Sequence, residues 1–172
     1  MALREIIEQT QASLRIDPIQ AAAVFSADSR QVEGLRSEAI IRQFAVTIDE
    51  PPSLGGTDAG PNPVELVLAA LAACQEITYR AYATALGVPL DSVSVSLKGD
   101  LDLRGFFAVG DDARPGFTRV RGTVTLKSPA PPEDLAKLKA VVDAHCPVLD
   151  ILKNTTPVAL DLETAPVAAA AE

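Results

Sequence analysis

The chain has 172 residues, 48% hydrophobic but only 4% aromatic and without Trp, so one domain is expected with a core of Ala, Val, Leu and Ile, extending across an oligomer interface. A formal charge of −8 with no visible cluster of Lys and Arg excludes a general nucleic-acid binder, because neutralising phosphates takes massed cations. Residues 1–8 lack the apolar core of a secretory signal and no uncharged run reaches the length of a membrane span, so a cytoplasmic protein that engages no membrane is expected.

Leu3, Ile6, Ile7 and Leu14 recur at helical spacing among Glu, Gln and Arg, which predicts an amphipathic helix ending before Pro18. Residues 1–17 are therefore taken as a helical extension and 18–164 as the domain. Residues 23–26 and 39–48, with Gly34 between them, carry β-branched and aromatic side chains and predict two antiparallel strands. Residues 49–63 are dense in turn formers and end on a helix start: Asn62 as N-cap, Pro63 at the first helical position, Glu65 three residues after the cap. Residues 64–86 run without Gly or Pro and are apolar almost all round through Ala73. This predicts a central buried helix that Gly87 caps and Pro89 stops.

Residues 93–97 and 118–126 alternate apolar and polar, as half-buried strands do, and the Gly- and Asp-rich stretch 99–116 joins them as a wide hairpin tip. Pro131, Pro132, Glu133 and Asp134 open a second helix with Leu135, Leu138, Val141 and Val142 on one face. Cys146-Pro147 breaks it and residues 148–152 continue it briefly. Residues 156–162 are expected to close as a final strand, and the low-complexity tail 165–172 to be disordered. Strands, buried helix, strands, helix and strand, in that order, describe an α+β fold.

Two cysteines, Cys74 and Cys146, stand 72 positions apart, so any pairing between them is tertiary. The cytoplasm keeps thiols reduced, which argues against a persistent structural disulfide. On its apolar helix Cys74 is either a small hydrophobe or a reactive thiol. In the second case it must react as thiolate, and about three turns from the helix start the dipole contributes little, so a cation has to come from another element. Arg30, Arg36 and Arg42, on or beside the expected hairpin, are the candidates, and Arg42 lies within the apolar strand residues 40–48, facing either core or solvent.

Cys146 precedes Pro147, which places it as N-cap of the short helix that follows, where a thiol gains thiolate character. His145, the sole histidine, is either a partner to that thiol or a structural residue. Cys74, His145 and Cys146 make a poor zinc set, since adjacent residues diverge and a structural site takes four ligands; neither a metal nor a cofactor is expected. The Gly-rich loop before Asn62 holds no Lys and only loosely fits a phosphate cradle.

The run Leu54-Gly-Gly-Thr-Asp-Ala-Gly-Pro-Asn-Pro63, leading through Ala72-Ala73-Cys74 and followed far downstream by Cys146-Pro147-Val148, resembles the OsmC/Ohr family of thiol peroxidases. The likeness extends from about Arg36 to about Leu162. It implies an OsmC-like fold: an intertwined homodimer in which antiparallel sheets wrap two central buried helices, with active sites at the subunit interface. It also implies a reaction in which the Cys74 thiolate attacks the peroxide O–O bond and becomes a sulfenic acid. Cys146 then condenses with it to a disulfide, and an external dithiol, a lipoyl-type group being one option, reduces the pair.

The same resemblance implies an Arg from the strands before the helix that holds thiolate and peroxide, Arg42 in preference to Arg36, and a Glu near the helix start that orients it. Where the peroxidase branches carry that Glu directly after Asn-Pro, this chain has Val64, with Glu65 one position on and about 100° further round the helix. Residues 100–105 and 114–117 look like those of a less characterised OsmC-like branch. The expected function is reduction of organic hydroperoxides, since a pocket of Ala, Leu and Val suits an alkyl chain. Two alternatives share the dimeric scaffold: a non-enzymatic module for a small hydrophobic ligand, and a redox-sensing protein whose disulfide alters a partner surface.

Overall fold

A computed structural model describes residues 2–164. Helix α1 (Leu3–Ile16) starts where the Ala2 backbone N–H donates to the Glu5 carboxylate at 3.0 Å, and ends at Asp17 ahead of Pro18. It lies along the central helix, yet none of its residues is fully buried. Three strands follow in place of the expected two: β1 (Asp28–Glu33), β2 (Arg36–Ile41) and β3 (Phe44–Ile48), an antiparallel meander in that order. Residues 23–26 are not a strand.

The difference comes from two tight turns. Gly34, at φ 54°, lets Glu33 pair with Arg36; Arg42, at φ 57°, lets Ile41 pair with Phe44. The second turn carries none of the usual Gly, Asn or Pro, so the apolar run 39–48 reads as one strand when it is two. Arg42 is consequently at a hairpin tip and not within a strand, exposed, with its guanidinium 5.2 Å from the centre of the Phe44 ring.

Residues 49–62 turn the chain into the central helix around one buried carboxylate. Asp49, 2% exposed, accepts from the Thr57 hydroxyl (2.6 Å) and from the backbone amides of Thr57 (2.9 Å), Ala59 (3.2 Å) and Glu50 (2.8 Å). Its pKa falls to about 2, mainly through the Thr57 hydroxyl and the three amides, against the opposing effect of burial. The loop closes so tightly that a Cβ at Gly56 would stand 1.8 Å from the Glu50 carbonyl oxygen, and one at Gly60 2.3 Å from that of Thr47.

Helix α2 (Pro63–Leu86) begins as the sequence predicts. The Asn62 side chain accepts from the Glu65 backbone N–H (2.9 Å) and the Glu65 carboxylate accepts from that of Asn62 (2.9 Å). Gly87, at φ 72°, ends it. Within one chain the helix is not buried all round. Leu71, Gln75, Thr78, Tyr79 and Ala83 are covered, while Ile77 on another face is 70% exposed.

Strand β4 (Ser92–Leu101) and strand β5 (Phe117–Lys127) form a separate antiparallel pair, joined through the short α3 (Leu103–Phe106) and a loop. Helices α4 (Pro132–His145) and α5 (Pro147–Lys153) follow. The core sits where α2 is held between the β4–β5 pair and α4: Tyr79, Ala83, Leu90, Leu138 and Val142 are buried, with Val93, Val124 and Leu126 packed on them. Leu90, Leu138 and Val142 each contribute about 1.5–3 kcal/mol on removal from water. Residues 156–162 do not form the expected final strand; Val158, Leu160 and Leu162 alternate as a strand would but have no strand beside them, and stand exposed. The expected disordered tail lies outside the described residues. No helix among the described residues is long and apolar enough to cross a membrane.

Candidate thiol site

The break between α4 and α5 is what carries Cys146 to the central helix. Its N–H donates to the Val142 carbonyl (2.9 Å), closing α4, and its carbonyl accepts from the Asp150 N–H (3.0 Å), opening α5. Pro147 keeps Cys146 extended, at φ −81° and ψ 112°, as a residue before proline must be. Cys146 is therefore the N-cap residue, as its position before proline predicts, but its thiol makes no capping bond. The sulfur instead lies 3.2 Å from Cys74 Sγ. Both are free thiols, Cys146 at 1% exposure and Cys74 partly covered.

Burial pushes the Cys74 thiol above its ordinary 9.0; the Val148 amide at the start of α5 pulls it down, the adjacent Cys146 sulfur raises it, and the Thr78 hydroxyl lowers it. None of these groups is a cation, so at neutral pH Cys74 rests as a thiol. Thr78, one turn after Cys74 and itself buried, also donates to the Cys74 carbonyl at 2.7 Å. Thr78 and the Val148 amide escape a reading of side-chain types. The i+4 spacing of Thr78 was a usable signal, whereas a backbone amide leaves none.

The other candidate residues stand apart from this pair. Glu65 is exposed and its carboxylate is engaged in the helix cap, nine residues before Cys74, or about 13 Å along the axis. Arg30 pairs with Glu38 (3.0 Å) and Arg36 with Glu33 (2.9 Å), both on the hairpin sheet. Arg42 has no carboxylate partner among the described residues, which leaves it the uncommitted cation of that sheet. His145 stacks on Tyr82, ring centres 5.3 Å apart. No group of three or more His, Cys, Asp or Glu among the described residues is placed to hold a metal ion.

A dithiol with its sulfurs in contact can cycle between reduced and disulfide forms with little backbone movement, since the bond itself is about 2.0 Å long. A family model described as "OsmC-like protein" matches residues 56–161. No curated protein sequence matches the chain. Among solved structures, an OsmC-like protein from Mycoplasma pneumoniae superposes with a TM-score of 0.67 at 20% identity, over 77% of this chain and 89% of that one. An organic hydroperoxide resistance protein OsmC from Legionella pneumophila gives 0.59 at 21% identity, over 77% and 92%. One from Elizabethkingia anophelis gives 0.58 at 16%, over 77% and 91%. At these identities the likeness is one of fold: α+β, with antiparallel sheets and helices.

Proposed function

This chain belongs to the OsmC-like protein family, and we propose that it is a thiol-dependent peroxidase that reduces organic hydroperoxides. The observation that carries the reading is the 3.2 Å contact between Cys74 and Cys146. The structural neighbours described as organic hydroperoxide resistance proteins support the substrate class.

The Cys74 thiolate attacks the distal peroxide oxygen, the O–O bond breaks, and the alkoxide leaves as alcohol after taking up a proton, with Cys74 left as sulfenic acid. Cys146 Sγ then attacks the Cys74 sulfur, forming the disulfide and releasing water. An external dithiol donates two electrons and two protons and restores both thiols. Per cycle one hydroperoxide becomes one alcohol and one water, and one dithiol becomes a disulfide. Reaction from free thiols fits a reducing compartment, the cytoplasm.

The raised pKa of Cys74 makes thiolate formation the demanding step. Within one chain the hairpin sheet makes no extensive contact with α2, so the cation that step needs is supplied in a homodimer, by the partner subunit's Arg42. Attraction from a guanidinium within about 4–6 Å lowers a thiol pKa by roughly 1–3 units.

The test is steady-state turnover of an alkyl hydroperoxide with a dithiol reductant. Wild type turns over; Cys74→Ser does not; Cys146→Ser consumes one equivalent and yields a Cys74 sulfenic acid that dimedone traps. Undiminished turnover in Cys74→Ser would remove that residue from the reaction.

A further inference from the structure

Strand alternation gathers cations that lie scattered in sequence onto one surface. In the β4–β5 pair, Val93, Val124 and Leu126 turn inward and pack on the core. The residues between them turn outward. Along β5 these are Arg119, Arg121, Thr123, Thr125 and Lys127, all exposed. Along β4 they are Ser92, Ser94, Ser96 and Lys98, also exposed, with Asp100 half-buried after them. The register sets Lys98 opposite Arg121 and Asp100 opposite Arg119.

Asp100 is the one acid on this face, and it pairs with Arg121. Lys98, Arg119 and Lys127 have no carboxylate partner among the described residues. The other groups are hydroxyls, so every uncommitted side chain on the face can donate a hydrogen bond. In a chain of formal charge −8 this surface is a local reversal of sign, and the remainder of the chain is more acidic than the whole. At the centre of the face Ser96, Lys98, Arg121 and Thr123 line a shallow depression of about 300 Å³, room enough for a carboxylate side chain.

We propose that the outer face of the β4–β5 pair docks an extended, acidic segment of another polypeptide, with Asp or Glu at alternate positions. Alternate side chains of an extended segment repeat about every 6.6–6.8 Å, which is also the spacing of Arg119 and Arg121 along β5. The row from Arg119 to Lys127 is about 27 Å long, the reach of nine such residues. A nucleic-acid duplex, with one charge per about 1.7 Å, meets repulsion from the acidic remainder of the chain. A short acidic segment interacts chiefly within a Debye length, about 8–10 Å. The face carries no apolar side chain to enter a bilayer. It lies on the side of the sheet away from α2, which carries Cys74, so the inference stands independently of the peroxidase reading.

The probes are a fluorescein-labelled nine-residue peptide of alternating Glu and Thr, with Glu at both ends, and its Gln counterpart, each followed by fluorescence anisotropy on addition of the full-length reduced protein. At 50 mM salt the Glu peptide binds at least about tenfold tighter than the Gln peptide, and raising salt to 300 mM weakens the Glu peptide alone. Lys98→Gln combined with Arg119→Gln lowers affinity for the Glu peptide at least about fivefold. Arg15→Gln combined with Lys153→Gln removes the same charge elsewhere on the surface and leaves that affinity unchanged. All four side chains are exposed, so both double variants fold as wild type does. Equal affinity for the two peptides, equal loss in the two double variants, or tighter binding of a nine-nucleotide single strand or of phosphatidylserine vesicles would each overturn the proposal. So would failure of the Glu peptide to bind because a second copy of the chain covers the face.

Discussion

Asp49 shows how one side chain can govern a site that it does not touch. Its four accepted hydrogen bonds fix residues 49–59, and that loop delivers the chain to Asn62 and hence sets where α2 begins. A carboxylate depressed from 3.8 to about 2 contributes stability that is fully present above the unfolded value, near 3.8, and is lost as pH falls through about 2. Asp49→Asn replaces an acceptor oxygen with an amide that cannot accept from Thr57 and Ala59. Thermal unfolding of the variant at pH 7 therefore starts at a lower temperature than wild type. The gap narrows between pH 4 and pH 2, where wild type protonates Asp49 and the variant has no carboxyl at that position to titrate. A gap that is constant across that window would assign the stabilisation to something other than the ionised carboxylate. Cys74 presents the opposite case, a group whose charged form its own chain disfavours.

Among the elements, α2 carries the most positional information and the loop before it the tightest sterics. Gly56 admits no Cβ, because backbone and not a movable side chain stands 1.8 Å from where it would lie. Gly56→Ala should cost at least about 1–3 kcal/mol, as overpacking does, and Asn62→Ala about 1 kcal/mol through loss of the cap. Urea unfolding of both variants checks the order; an Asn62→Ala cost larger than that of Gly56→Ala would contradict it. Much of this element was legible: Asn62, Pro63, Glu65 and Gly87 are local signals read from side-chain type, and each does what its type predicts. The Cys146-Pro147 break was equally plain, because proline constrains its predecessor whatever surrounds it. The turn at Arg42 was not legible, since a left-handed residue without Gly or Asn leaves no compositional mark. The strand expected over 156–162 has the correct alternation but depends on a neighbour that its own chain does not place beside it.

Taken as one molecule, the chain exposes more than it can keep exposed. Its accessible surface is 12949 Å², whereas a compact monomer of 18.0 kDa has about 8,000 Å². Within the described residues, several faces lack packing in the single chain. The β1–β3 sheet makes no extensive contact with the helices, Ile77 faces outward from α2, and Phe25, Val158, Leu160 and Leu162 are each more than three-quarters exposed. Obligate homodimers bury about 2,000–5,000 Å² or more in total over both partners, so a fraction of the excess would make such an interface. A second copy that takes these faces also accounts for the half-covered central helix and for the unpaired alternation at residues 156–162. The expected state in solution is thus a dimer at micromolar concentration, by sedimentation equilibrium. Val158→Asp combined with Leu160→Asp removes two apolar anchors from each protomer and puts charge in their place. At about 1.5–3 kcal/mol for each buried side chain, the dissociation constant should rise at least about 100-fold. On the proposed function, peroxide turnover per protomer should fall in the same variant and recover as protein concentration is raised, because that reading takes the cation for the Cys74 thiolate from the other subunit. A wild-type chain that sediments as a monomer, or a dissociated variant with full turnover, would show instead that one chain completes the site alone.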